Sequence, residues 1–280
     1  MLPASKSVGM RTNAVLLLLA LWLALFHAAD LRAQAPHLAG IAHVAFRVAD
    51  LEKSRDFYRK LGFEEAFDSS EAGKTTVAFI KINDRQFIEL YPRSADSQTT
   101  GFMHICYEST DISDAHDAYA EHDLHPSEIK KAGAGNLLFV IHDPEGQPIE
   151  YTEYAPASLH SLDRGKHLGR QRVSQLLIGL LEPVRDAAAE RAFYTEKLGF
   201  VSASPNGMTM QLSGDSSSAI EFATATVEPE LIFRVENAKR TAKTLRRRGL
   251  TAEPGQDEVS LSDSDGVRVV FRQSYAAKKR

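Results

Sequence analysis

The chain has one cysteine, Cys106, among 280 residues. No intramolecular disulfide is possible, so stability rests on a packed core. Positive charge is not in excess either: the formal net charge is −4. That excludes the broad basic field expected of a nucleic-acid binder. No Gly-rich loop of the phosphate-cradling kind occurs. Gly133-Ala134-Gly135 lies between two expected strands and reads as a turn or a loop near the cup that curved sheets would form, rather than as a nucleotide site. A Ser-His-Asp signature with a nucleophile elbow is also missing. Beyond the N-terminus, no apolar run is long enough to span a bilayer, which takes roughly 20 residues. What is present is a hydrophobic content of 43%, enough to fill the core of one large or two ordinary domains.

Residues 1–35 stand apart in composition. Lys6 and Arg11 precede an apolar run from Ala14 to Phe26, and a small-residue site follows at Ala33-Gln34-Ala35. This is the order of a secretory signal peptide, with the mature chain starting between about Ala29 and Pro36. Met10 is an alternative start, and an uncleaved anchor is the alternative to processing. The expectation is export, periplasmic or secreted, with no stable membrane insertion after processing. The basic end, Ala277-Lys278-Lys279-Arg280, reads as a solvated tail.

A unit of strand, helix and three strands recurs four times. In the first unit, residues 41–48 form an apolar strand. Asp50 caps a helix with Leu51, Ser54, Tyr58 and Leu61 on one face, and Gly62 ends it. Strands near 63–69, 74–83 and 85–92 follow. The second unit runs from Gly101 to about Ala155, with a turn at Asp143-Pro144-Glu145-Gly146. A polar connector, 156–172, leads to the third unit. There Phe193-Tyr194-Thr195-Glu196-Lys197-Leu198-Gly199-Phe200 repeats Phe57-Tyr58-Arg59-Lys60-Leu61-Gly62-Phe63 with one residue inserted. In the fourth, Asp263-Ser264-Asp265-Gly266 repeats the turn. The expected fold is α+β: four βαβββ modules paired into two domains, 38–155 and 173–275, each with a curved mixed sheet.

His43, Glu89, His104 and Glu150 sit at matching places in the first two modules. Two imidazoles and two carboxylates can hold a divalent ion and leave positions open for a substrate. Strand alternation puts His43, Glu89 and Glu150 on the face away from the apolar side. Cys106, two residues after His104, shares its face and reads as a small buried residue rather than a ligand.

The pattern resembles the vicinal oxygen chelate superfamily, the glyoxalase, bleomycin-resistance and extradiol dioxygenase proteins. The resemblance spans about residues 38–275. It is carried by His43, the run from Asp50 to Tyr58 leading into Leu61-Gly62-Phe63, Ile88-Glu89-Leu90, His104, and Asp143-Pro144-Glu145-Gly146 before Ile149-Glu150. It implies two glyoxalase-like domains and a metal held by His43, Glu89, His104 and Glu150. In the second half Gln175 is aligned with His43, Glu221 with Glu89, Glu230 with His104 and Val270 with Glu150. That half is expected to be degenerate.

One divalent ion per chain is expected, Zn, Mn, Fe, Co or Ni, since these ligands suit all five. It would act as a Lewis acid on a small oxygenated substrate, with Glu150 as general base and Glu89 second. That is isomerase, epimerase or lyase chemistry. An Fe(II) extradiol-type dioxygenase using His43, His104 and Glu150 is the alternative, with Glu89 surplus. A non-enzymatic protein that binds an antibiotic-like small molecule is the other. Tyr91, Tyr107, Tyr151 and His142 are candidates for acids near the metal, or packing residues.

Overall fold

The computed structural model describes residues 38–273 except Ser97, Gly214 and 225–227. Residues 1–35, expected to form a signal peptide, and the basic tail lie outside the described residues. Among the described residues no helix is long and apolar enough to cross a membrane.

Two eight-stranded mixed sheets form the architecture. The first contains β1 (Leu38–Val48), β2 (Glu64–Glu71), β3 (Lys74–Lys81), β4 (Phe87–Pro92), β5 (Gly101–Ser109), β6 (Lys130–Lys131), β7 (Leu137–His142) and β8 (Pro148–Glu153), in the order β2-β3-β4-β1-β5-β8-β7-β6. The second contains β9 (Leu177–Val184), β10 (Val201–Ser202), β11 (Thr209–Leu212), β12 (Asp215–Thr224), β13 (Glu230–Val235), β14 (Glu253–Pro254), β15 (Glu258–Ser262) and β16 (Arg268–Gln273). Its order, β10-β11-β12-β9-β13-β16-β15-β14, is that of the first sheet shifted by eight. In each sheet the two modules meet through an antiparallel pair, β1 with β5 and β9 with β13.

Local chemistry sets the helices. Helix α1 (Leu51–Lys60) starts where the Asp50 carboxylate accepts from the Lys53 amide. Helix α2 (Ile112–Glu121) starts in the same way at Asp111 with Asp114. Gly62, with φ of 88°, supplies the left-handed residue after α1. A side chain there would also strike the backbone of Gln171. In the third module, helix α4 (Ala187–Ala192) runs into a π turn over Phe193–Lys197. Its Leu198 amide reaches back five residues to the Phe193 carbonyl, whereas Leu61 reaches back four to Phe57. The inserted residue is absorbed as one widened turn, and the apolar face keeps its phase.

The helix-facing sides of both sheets share one core. Phe63 packs on Phe233 at 5.4 Å between ring centroids, and Tyr107 on Phe200 at 5.4 Å. The two acidic turns fasten each half to the other. Glu145 accepts from the Arg185 and Asp186 amides at 2.6 and 2.9 Å, and Asp265 accepts from the Ala49 amide at 2.9 Å.

The polar connector 156–172 is not a solvated tether. It contains a short helix, α3 (Leu159–Leu162), and buries both His160 and Asp163. Asp163 holds the ammonium of the fully buried Lys81 at 2.7 Å, and Asp84 holds it at 2.9 Å. Lys81 lies between two isoleucines, and its charge is tolerable there only because these carboxylates meet it.

Two carboxyls in the shared core lack such partners. By strand register Glu182 stands where the first half has Phe46. Glu190, four residues after its cap Asp186, stands where Ser54 follows Asp50. Both are buried, and neither oxygen of Glu190 has a hydrogen-bond partner. Burial, and then Asp143 and Glu145, push the Glu190 carboxyl up to about 8 from the usual 4.5. A carboxyl raised on folding favours the folded state less as pH climbs from its unfolded value to its folded one. Glu190→Gln is therefore expected to stabilise the protein. Its advantage in melting temperature over the wild type should be small near pH 4.5, widen up to about pH 8 and level off above. A melting series across that range checks it; an advantage that does not grow with pH would contradict the assignment.

Candidate metal centre

The concave side of the first sheet collects the four residues singled out by the sequence. β1 carries His43, β4 Glu89, β5 His104 and β8 Glu150. Register explains their meeting: Ala45 on β1 lies opposite both Glu89 and His104, and Cys106 lies opposite both His43 and Glu150. Strands about 4.8 Å apart thus put side chains of the same face into one cluster.

The Nε2 atoms of His43 and His104 face each other at 3.1 Å. Glu150 approaches both, at 3.6 Å from His43 Nε2 and 4.0 Å from His104 Nε2. Glu89 lies 3.4 Å from His43 Nδ1, and its other oxygen accepts from the Tyr91 hydroxyl at 2.6 Å. Ligand atoms converge in two overlapping groups, His43 with Glu89 and His104, and His43 with Cys106 and Glu150. Cys106 shares the His104 face, as expected. Its thiol is fully buried and burial raises its pKa, so it is a neutral neighbour of Glu150.

Electrostatics favour a cation here. Burial lowers His43 to about 3; burial and then His43 lower His104 to about 4. Both imidazoles are neutral near pH 7, the form that ligates a metal. Burial raises Glu150, with Glu89 adding to the shift, and burial raises Glu89 against the pull of His104 and Tyr91. The Nδ1 of His43 is buried without a hydrogen-bond partner. Two nitrogens each about 2.1 Å from one ion, and about a right angle apart on it, would be about 3 Å from each other. The donor set fits a divalent ion.

Glu89 and Glu150 open onto a cavity of about 100 Å³, walled by Tyr91, Phe79, Asn136 and the Ala132-Gly133-Ala134 loop. The sequence places a turn or loop near the cup here, and residues 132–134 form one wall of the cavity. Of the other aromatic candidates, Tyr91 alone meets the cluster. Tyr107 and Tyr151 are buried in the shared core on the opposite face, and His142 is exposed. His160 carries no motif that marks it in the sequence. It enters from α3 and sits among Phe67, Phe79, Phe87 and Tyr154, with ring centroids at 4.6 to 5.3 Å. Neither of its ring nitrogens has a hydrogen-bond partner, and burial lowers its pKa to about 3. The connector thus closes one side of the cup with aromatic surface.

The second cup differs. Glu221 lies opposite Leu181, as Glu89 lies opposite Ala45, so Gly179 rather than Gln175 takes the place of His43. The alignment had been four residues early. Glu230 and Val270 hold the places of His104 and Glu150, as expected. The remaining carboxylates are met by arginines: Arg272 lies 2.8 Å from Glu221 and Arg268 3.0 Å from Glu230. Cations of the chain itself neutralise what is left of the ligand set.

Comparison with known proteins agrees with this geometry. The family model of the Glyoxalase/Bleomycin resistance protein/Dioxygenase superfamily matches residues 40–151. The first half of the chain is thus similar to that superfamily over this segment. Mitochondrial methylmalonyl-CoA epimerase of Mus musculus is 36% identical over 90 residues, covering 28% of this chain and half the length of that relative. The solved 2,3-dioxygenase LapB from Pseudomonas sp. KL28 matches with a TM-score of 0.67 at 17% identity, covering 86% of this chain and 94% of that one. Homoprotocatechuate 2,3-dioxygenase from Arthrobacter globiformis matches with a TM-score of 0.61 at 17% identity, covering 86% and 81%. At such identity the two structures speak for the fold, which here extends across both halves.

One metal ion per chain is the expected stoichiometry, because one cup has a full donor set and the other does not. Elemental analysis after reconstitution with Zn or Mn should give about one ion per chain, falling to near zero in His104→Ala. Two tightly held ions would mean that the second cup also binds.

Proposed function

We propose that the first cup holds a single divalent ion through His43, Glu89, His104 and Glu150. On this reading the chain is a metal-dependent enzyme that moves a proton beside a carbonyl of a small oxygenated substrate. The observation that carries it is the pair of neutral imidazole nitrogens 3.1 Å apart, flanked by the buried Glu89 and the half-buried Glu150 carboxylates. The similarity of a 90-residue stretch to an epimerase supports the same class.

When bound, the ion supplies polarisation of the substrate carbonyl, which acidifies the adjacent C–H. The residues of the chain divide the rest. His43 and His104, set on paired strands, fix the geometry. Glu89 is tethered by the Tyr91 hydroxyl at 2.6 Å and is the less free carboxylate. Glu150 has only a weak thiol donor beside it and faces the cavity, so it is the group placed to take and return the proton. Its raised pKa makes it a stronger base once ionised. Phe79, the 132–134 loop and the aromatic wall around His160 limit access of water and restrict the reacting group to a small one.

Ring cleavage is the second reading, supported by the likeness to extradiol enzymes along both halves. It needs His43, His104 and one carboxylate, and it leaves the other carboxylate without a task. Export through residues 1–35 belongs to the proposal and rests on the order of charged, apolar and small residues there. N-terminal sequencing of the protein from its own source tests it, and a chain still starting at Met1 or Met10 would refute it.

Glu150→Gln keeps the size and an oxygen donor but removes the base. It is expected to retain most of the metal and lose roughly 10²–10⁴-fold in turnover. The readout is exchange of the acidic C–H with deuterium from solvent across a panel of 2-substituted acyl thioesters and 2-hydroxy ketones. Oxygen uptake with catechols and Fe(II), together with no exchange, would replace proton transfer with ring cleavage.

A further inference from the structure

The second cup has lost its metal donors but not its space. A cavity of about 240 Å³ lies against Gly179, Glu221 and Arg272, and a larger one of about 640 Å³ adjoins it. Arg234, near the end of β13, lines both. The larger cavity also receives Arg172 from the connector and Arg240 from the first turn of helix α5 (Ala238–Arg247). Its walls carry apolar surface as well, from Val173, Leu176 and Val235.

The charges on this wall are not balanced. Arg268 and Arg272 on β16 have carboxylates within 3.0 and 2.8 Å. Among the described residues, Arg172, Arg234 and Arg240 have none within ion-pair distance; Arg172 donates only to backbone carbonyls of Leu168 and Gly169. Among the described residues, Glu236 is the single carboxylate lining the larger cavity. Strand register sharpens the contrast. Arg234 occupies the place of Glu108, which in the first half accepts from Arg85 at 2.7 Å. Arg234 also lies directly opposite Arg272, where the first half pairs Glu108 with Thr152. Like charges opposite one another on paired strands destabilise a sheet. A reversal of charge that leaves three guanidiniums around a large cavity makes physical sense if an anion completes the set.

We propose that the second half binds a small organic oxyanion, a carboxylate or phosphate group held by Arg234 and Arg240, with its apolar body against Leu176 and Val235. This site is independent of the metal centre and needs no metal of its own.

The test uses the full chain and two probes, phenyl phosphate and benzoate, titrated calorimetrically at fixed ionic strength with chloride as the balancing anion. At least one probe should bind once per chain. Arg234→Gln and Arg240→Gln should each weaken it by roughly tenfold or more, as expected for loss of a charge-assisted contact. His104→Ala should leave the binding unchanged. Preference for phenyl phosphate or for benzoate identifies which oxyanion the site takes, and either supports the proposal. Three results would overturn it: no binding of either probe at millimolar concentration, binding that survives in the double arginine variant, or binding that disappears with His104→Ala. Melting curves of the variants confirm that they are folded before titration.

Discussion

Antiparallel pairing of β1 with β5 is the constraint on which the site depends. It joins the first module to the second, places Ala45 opposite His104, and drives two imidazole Nε2 atoms to 3.1 Å. Neither ring is positioned by its own module alone. A shift of one residue between these strands would turn His104 to the other face and put Ile105 in the cup. The apolar faces of both strands resist that shift because Val44, Phe46, Ile105 and Tyr107 are already committed to the core shared with the second half. Burial of hydrophobic surface on one side of the sheet therefore fixes the donor geometry on the other.

The fold was readable because its signals are local chemistry. Aspartate caps the helix in three modules and Asn237 in the fourth, an aromatic pair and a Leu-Gly-Phe helix end mark the first and third, an acidic turn marks the second and fourth, and each acts within a few residues of itself. The donor positions were readable for the same reason, since His43, Glu89 and Glu150 follow strand alternation. Where the sequence misled, the cause was contact between distant residues. The connector looked like a polar tether, yet Asp163 is there to meet Lys81 and His160 to complete an aromatic wall. In the third module no histidine marks the strand, and the run Leu176-Leu177-Ile178-Gly179-Leu180-Leu181 offers no alternation from which to set its register. The four-residue error at Gln175 follows from that.

The two halves show how one scaffold divides labour. Both keep the strand order and the inter-half turns, so the shared core needs both. The second half carries charge of the opposite kind in its cup, and buried carboxyls, Glu182 and Glu190, on its core side. The first half holds acids and neutral imidazoles around a confined space; the second holds guanidiniums around a wide one.

Gly179 gives this division a direction. A Cβ at that position would lie 3.0 Å from the Ala219 carbonyl oxygen, so the backbones of β9 and β12 leave little room there for a side chain. Replacing Gly179 with histidine would force that carbonyl back by a few tenths of an ångström and set an imidazole beside Glu221, which already has Arg272. A metal centre can thus be lost here by one substitution but regained only by several together. The β9–β12 backbone spacing and the Arg272–Glu221 pair would both have to change before the second cup could mirror the first.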